Sequence, residues 1–154
     1  MKSLSLLLCC VLLSAGCVKK ISIPATVKQV SNNGIHIMQT VQAMASAVEK
    51  AENDKVISRN AAIKVMGILS KIIDAAEQVI KYLTLMLSSD SPTELNSSVD
   101  KVIAALDVIN TGLFQAFIPI QDETLKTDLG NLAAEMGRTI TIINREVLGR
   151  AYAK

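Results

Sequence analysis

Apolar residues recur in steps of four and three along most of this chain, the spacing that lines one side of an α-helix. Val27, Val30, Gly34, Ile37, Val41, Met44, Val48 and Ala51 mark a first run. Ala62, Met66, Leu69, Ile73, Ala76, Ile80, Leu83 and Leu87 mark a second, widened on one flank by Val65, Ile72, Val79 and Met86. Leu95, Val99, Val102, Leu106, Ile109 and Leu113 mark a third. Leu125, Leu129, Leu132, Met136, Ile140, Ile143 and Val147 mark a fourth, with a slip near Thr139. In the second run, Lys64, Lys71, Asp74, Gln78 and Lys81 lie opposite the apolar side. Such a broad apolar face belongs to a bundle helix rather than to a two-stranded coiled coil.

Start and stop chemistry divides these runs. Ser91-Pro92-Thr93-Glu94 is a capping box with proline at the first helical position. Pro119 disfavours helix at Ile118 and ends the third run. Asp122, with Glu123 behind it, caps the fourth. Asn53-Asp54-Lys55 separates the first two runs, Ser58 caps the second, and Pro24 opens the first. The predicted helices are 24–53, 58–88, 92–118 and 122–151. Asn32-Asn33-Gly34 could break the first, but the apolar repeat passes straight through it. Short links force successive helices to alternate in direction, so the predicted fold is all-α, an antiparallel up-down-up-down four-helix bundle.

Composition suits that fold. Half the residues are apolar, yet there are only two Phe, two Tyr and no Trp. Ala, Ile, Leu, Val and Met must therefore fill the core. The runs do not read as membrane spans: the second holds Lys64, Lys71, Asp74, Glu77 and Lys81, each costing about 2.5 kcal/mol or more in a bilayer centre. A net charge of +2, without a basic cluster beyond Lys19-Lys20, argues against nucleic acid as a partner. Lys71-Ile72-Ile73 and Lys101-Val102-Ile103 begin similar runs, a match that chance readily produces in Ala/Ile/Val-rich helices.

The N-terminus carries an address. Lys2 supplies a positive start, and residues 4–15 form a short apolar stretch interrupted by Ser5 and Ser14. Cys17 follows directly in Leu13-Ser14-Ala15-Gly16-Cys17. The arrangement resembles a bacterial lipoprotein signal, although Ser14 stands where an aliphatic residue is preferred and Leu13 is one step early. The resemblance implies that residues 1–16 are a signal peptide, that Cys17 is the first mature residue and carries the lipid, and that residues 17–23 are a tether. Plain secretion with a free thiol and an uncleaved anchor are the alternatives. Loss of Cys9 and Cys10 with the signal would leave one cysteine, unable to form an internal disulfide. Val18 is not the Asp that favours inner-membrane retention in enterobacterial lipoproteins, so the resemblance favours the outer membrane where the host has one. Lys19 and Lys20 would each add about 1 kcal/mol of attraction beside anionic headgroups.

Catalytic chemistry is hard to find. The single histidine, His36, has Asn33 and Gln39 three residues away rather than carboxylates. The Glu-x-x-His pairs of ferritin-like bundles and the multiple Cys or His of zinc sites are missing. A haem held by His36 and Met136 would need both at one level facing inward, without a Cys-x-x-Cys-His motif to attach it. No nucleophile elbow or phosphate-cradling glycine loop occurs. Gly67, Gly112, Gly130 and Gly137 stand isolated in helices, where they are expected to allow close helix approach. Glu49, Glu52, Asp54, Asp122 and Glu123 gather at helix ends, as capping and solvation explain. The expectation is a non-enzyme without metal or cofactor.

The remaining feature is the first helix, which lacks any acid or base from Gln29 to Val48. Its polar side uses Gln29, Asn32, Asn33, Gln39, Thr40, Gln42 and Ser46. A neutral face escapes the desolvation cost of charges and suits a protein partner or self-association. The signal, with alanine-rich helices such as Val56-Ile57-Ser58 followed by residues 61–65, resembles small helical lipoproteins of phages and prophages. That resemblance implies a lipid-anchored envelope protein with a structural or interaction role, such as envelope modification during infection. The competing expectation is a periplasmic module holding an apolar ligand or lipid between its helices.

Overall fold

The computed structural model describes residues 23–89 and 91–148. It is all-α: helices α1 (Ile23–Asn53), α2 (Arg59–Ser88), α3 (Pro92–Ala116) and α4 (Glu123–Ile142) follow in order, and a π-helical segment, Ile143–Leu148, continues α4. Among the described residues there is no strand. The predicted signal peptide and most of the tether, including Cys17, lie outside the described residues.

One continuous core joins the helices. From Ile37 onward the first apolar run is buried as its spacing predicts, through Val41, Met44, Val48 and Ala51. The third run is buried from Val99 to Leu113. The second run is rotated from expectation. Val65, Leu69, Ile72, Ala76, Val79 and Leu83 form its deepest stripe, while Met66 and Ile73 are only partly buried. The residues read as a flank are thus the centre, because α2 has to serve neighbours on two sides. It packs most extensively against α3 and next against α1, which also carries α4. By contrast α3 and α4 meet over only a short stretch.

The α2–α3 contact is close because small residues line it. Ser98, Ala105 and Gly112 recur every seventh residue on α3, and all are buried. A Cβ on Gly112 would come within 2.8 Å of Ile72 Cγ1 and 3.1 Å of its Cδ1. Gly34 acts alike between α1 and α2, where a Cβ would overlap the Ile80 side chain. Gly34 therefore does not break α1, which runs unbroken through Asn32 and Asn33; it allows the approach. Gly67, Gly130 and Gly137 have no neighbour within 4 Å of an added Cβ, so the expectation of close approach holds at Gly112 and fails at these three.

The ends show which local signals prevail. Ser58 Oγ accepts from Ala61 N–H at 3.2 Å, and Asp122 Oδ1 from Leu125 N–H at 2.7 Å, as capping predicts. The box at Ser91 does not close, since Ser91 makes no side-chain cap bond. Ser89 Oγ instead donates to Glu94 Oε2 at 2.7 Å and accepts from Ser91 N–H at 3.2 Å. The third helix stops at Ala116 rather than 118. Before Pro119 the last turn tightens, with Phe117 N–H bonding Phe114 O and Ile118 N–H bonding Gln115 O. In the fourth, Thr139 and Ile140 are both buried where the apolar steps slip. The regular helix gives way at Ile143 to the π segment, whose wider turn shifts the phase of the residues that follow.

The α1–α2 link carries a stop signal that lacks its usual residue. Val56 N–H reaches Ala51 O at 2.8 Å and Lys55 N–H reaches Glu52 O at 3.0 Å, the paired bonds of a Schellman motif. Its left-handed position is held by Lys55, with φ 59°, where glycine would be strain-free.

Three substitutions at these backbone positions have opposite expected effects on stability. Lys55→Gly raises stability by about 1 kcal/mol, since it relieves a left-handed side-chain penalty. Gly34→Ala lowers it by about 1–3 kcal/mol through overpacking, whereas Gly67→Ala, in open space, raises it by about 0.5–1 kcal/mol. Urea denaturation of the full chain followed by circular dichroism checks all three.

Candidate functional site

His36 has a partner that local spacing does not reveal. Its Nε2 lies 3.1 Å from Glu135 Oε1 on α4, with side-chain exposures of 42% and 46%. At that exposure the pair is worth at most about 1 kcal/mol and ties α1 to α4 only weakly. Met136, the next residue, is wholly buried. The histidine and the methionine singled out for haem thus stand at one level, but His36 Nε2 is engaged by a carboxylate and Met136 belongs to the core.

The neutral side of α1 is narrower than its sequence suggests. Thr40 is buried, and its hydroxyl donates to His36 O at 2.9 Å. Asn33 turns inward, and its Nδ2 is buried without a hydrogen-bond partner. The exposed stripe is Asn32, Ile35, Gln39, Gln42 and Ser46, and Ile35 is 48% exposed. One large apolar side chain therefore joins an uncharged strip that was expected to be polar.

Two open clefts mark opposite ends of α2. The smaller, about 370 Å³, is lined by Lys50, Asp54, Val56, Asp122, Leu125 and Asp128 among others. Among the described residues no three His, Cys, Asp or Glu side chains are gathered to hold a metal ion. Asp122 in this cleft is occupied in capping α4.

The larger cleft, about 510 Å³, sits where α2 hands over to α3. Hydroxyls crowd it: Ser88, Ser89, Thr93, Ser97, Ser98 and Tyr82 line it together with Leu85, Glu94 and Lys101. Lys101 Nζ lies 4.9 Å from the Tyr82 ring centroid and Lys81 Nζ 5.5 Å, both in cation–π range. Sequence reading missed this site, though the Ser/Thr density from Ser88 to Ser98 was visible. The missing signal was that Tyr82 and Lys101, nineteen residues apart, share one end of a helix pair.

Comparison with protein-family models, curated proteins and solved structures finds no match.

The buried Asn33 amide gives a direct test of site against scaffold. An unsatisfied buried donor costs about 1–3 kcal/mol, so Asn33→Leu raises the urea midpoint of the full chain by the equivalent of about 1 kcal/mol.

Proposed function

We propose that this chain is a lipid-anchored cell-envelope protein. In this reading Cys17 carries the lipid and the helical body performs a non-catalytic structural or protein-interaction role. The observation that carries it is Leu13-Ser14-Ala15-Gly16-Cys17 behind a short apolar stretch, with no cysteine after it. None of the described helices is long and apolar enough to cross a membrane, so attachment would fall to the N-terminal segment.

The body is proposed to be an antiparallel up-down-up-down bundle. Pairings along its seams support this arrangement. Gly34 faces Ile80, while the far ends of α1 and α2 are joined by a short link. Gly112 faces Ile72 and Ile68, and about three turns of helix away Lys101 reaches Tyr82. His36 meets Glu135, and Lys50 shares a cleft with Thr124. The tether would leave one end of this bundle and the uncharged stripe around Ile35 would run along its side, available to a partner or a second copy. Envelope modification during phage infection fits such a module. An apolar ligand between the helices is the weaker reading, because Met44 and Met136, the residues most able to yield, are wholly buried in the continuous core.

Cys17→Ala is expected to abolish labelled-palmitate incorporation and move the protein out of the membrane fraction. Retention of both in the variant would overturn the reading.

A further inference from the structure

The four helices are not held equally. On one side α2 packs against α3 along the seam of small residues, and on another against α1 at Gly34. By contrast α4 has extensive contact with α1 alone and meets α3 only briefly. Gly130 and Gly137, seven residues apart on α4, have no neighbour within 4 Å of an added Cβ, so no other helix comes close to them.

The seam that holds α4 carries polar groups that do little to bind it. Asn33, His36 and Thr40 follow at steps of three and four on the side of α1 where His36 meets Glu135. Asn33 brings a buried amide nitrogen with no acceptor, and burying such a donor opposes the packing that buries it. The buried Thr40 and Thr139 turn their hydroxyls back on their own helices, donating to His36 O and Glu135 O. The His36–Glu135 contact crosses the seam, but both side chains are partly exposed and water competes for them. Holding α4 is left mainly to the burial of Leu129, Met136, Ile140 and Ile143.

The link at its start has the build of a pivot. Ile118 N–H bonds Gln115 O, Ile120 N–H bonds Phe117 O, and the Ile120 side chain is buried. The chain is therefore fixed to the body as far as Ile120. From Asp122 onward the bonds belong to α4 itself. Asp122 caps Leu125 N–H, Glu123 pairs with Lys126, and the Thr127 hydroxyl donates to Glu123 O. These bonds do not cross to another helix, so they survive a movement of α4 as a whole.

We propose that α4, with its π-helical extension, opens as a unit about Gln121–Asp122 while α1, α2 and α3 stay packed. The open state is the minor one, reached by the kind of local equilibrium that separates weakly held elements from the rest of a fold. It uncovers the apolar side of α4, with Leu125, Leu129 and Met136, and the side of α1 that α4 leaves. Nothing in this opening depends on a lipid at Cys17.

Native-state hydrogen exchange of the full chain in neutral detergent tests this, read on peptides by mass spectrometry with urea held below the unfolding transition. Amides of α4 are expected to be at least tenfold less protected than those in the centres of α2 and α3. Their exchange should also depend less steeply on urea, because opening one helix exposes less surface than global unfolding. Asn33→Leu should slow exchange in α4 about fivefold. Ala105 lies in the α2–α3 seam, which the opening leaves intact. Ala105→Gly should therefore speed exchange in the centre of α3 about fivefold and leave α4 unchanged. Equal protection and equal urea dependence in α4, α2 and α3 overturn the proposal, and this wild-type comparison stands without any variant. Faster α4 exchange in Ala105→Gly, or opening of α1 together with α4, also overturns it. An unchanged α4 rate in Asn33→Leu overturns the part given to the buried amide.

Discussion

Close approach of α2 and α3 along a seam of small side chains is the constraint on which the rest of the fold depends. Without tryptophan and with few aromatic rings, this chain cannot fill wide gaps between helices with large side chains. It gains contact by bringing backbones together. Ile68, Ala75 and Tyr82 on α2 recur every seventh residue, as do Ser98, Ala105 and Gly112 on α3. Ile68 meets Gly112 at one end, and Tyr82 shares a cleft with Ser98 at the other. Between them Ala75 and Ala105 are both nearly fully buried. Dispersion forces reward such proximity, because each atom pair contributes little and their number decides the sum.

The tight seam has a geometric cost elsewhere. Drawing α3 toward α2 leaves it in only brief contact with α4, which leans on α1 instead. Ile103 and Val108 of α3 are accordingly 42% and 48% exposed. The hydroxyl-rich cleft lies at the end of the same seam, where Ser98 and Tyr82 both line it.

Helix number and type were legible in the sequence because the four-three spacing is strong and the ends are marked by Ser58, Pro92, Pro119 and Asp122. What was hidden depended on which neighbours each helix would meet. Periodicity finds an apolar face but not its centre, so Val65, Ile72 and Val79 looked peripheral until α2 was seen to pack on two sides. Gly34 looked like a breaker because its local sequence, Asn-Asn-Gly, favours turns, yet the decisive contact is with Ile80 in another helix. The Schellman turn at Lys55 was invisible for the opposite reason: the bonds are standard, but the residue is not glycine. His36 illustrates the same limit at a candidate site. Its carboxylate partner lies ninety-nine residues away, and only tertiary structure brings Glu135 beside it. The lipid address proposed for Cys17 rests on sequence pattern alone, since the residue lies outside the described structure.

The distal end of the molecule carries Phe114 and Ile118, 76% and 71% exposed, in a stretch from Val108 to Gln121 without a single charge. Water must be ordered around these groups at the tip farthest from where α1 begins. At high concentration that tip would be sticky, and crowding molecules in solution would favour adhesion there. Were the opposite end held at a surface, as the proposed anchor would have it, two such tips could meet only side by side, and this exposed apolar feature would act as a directed point of contact.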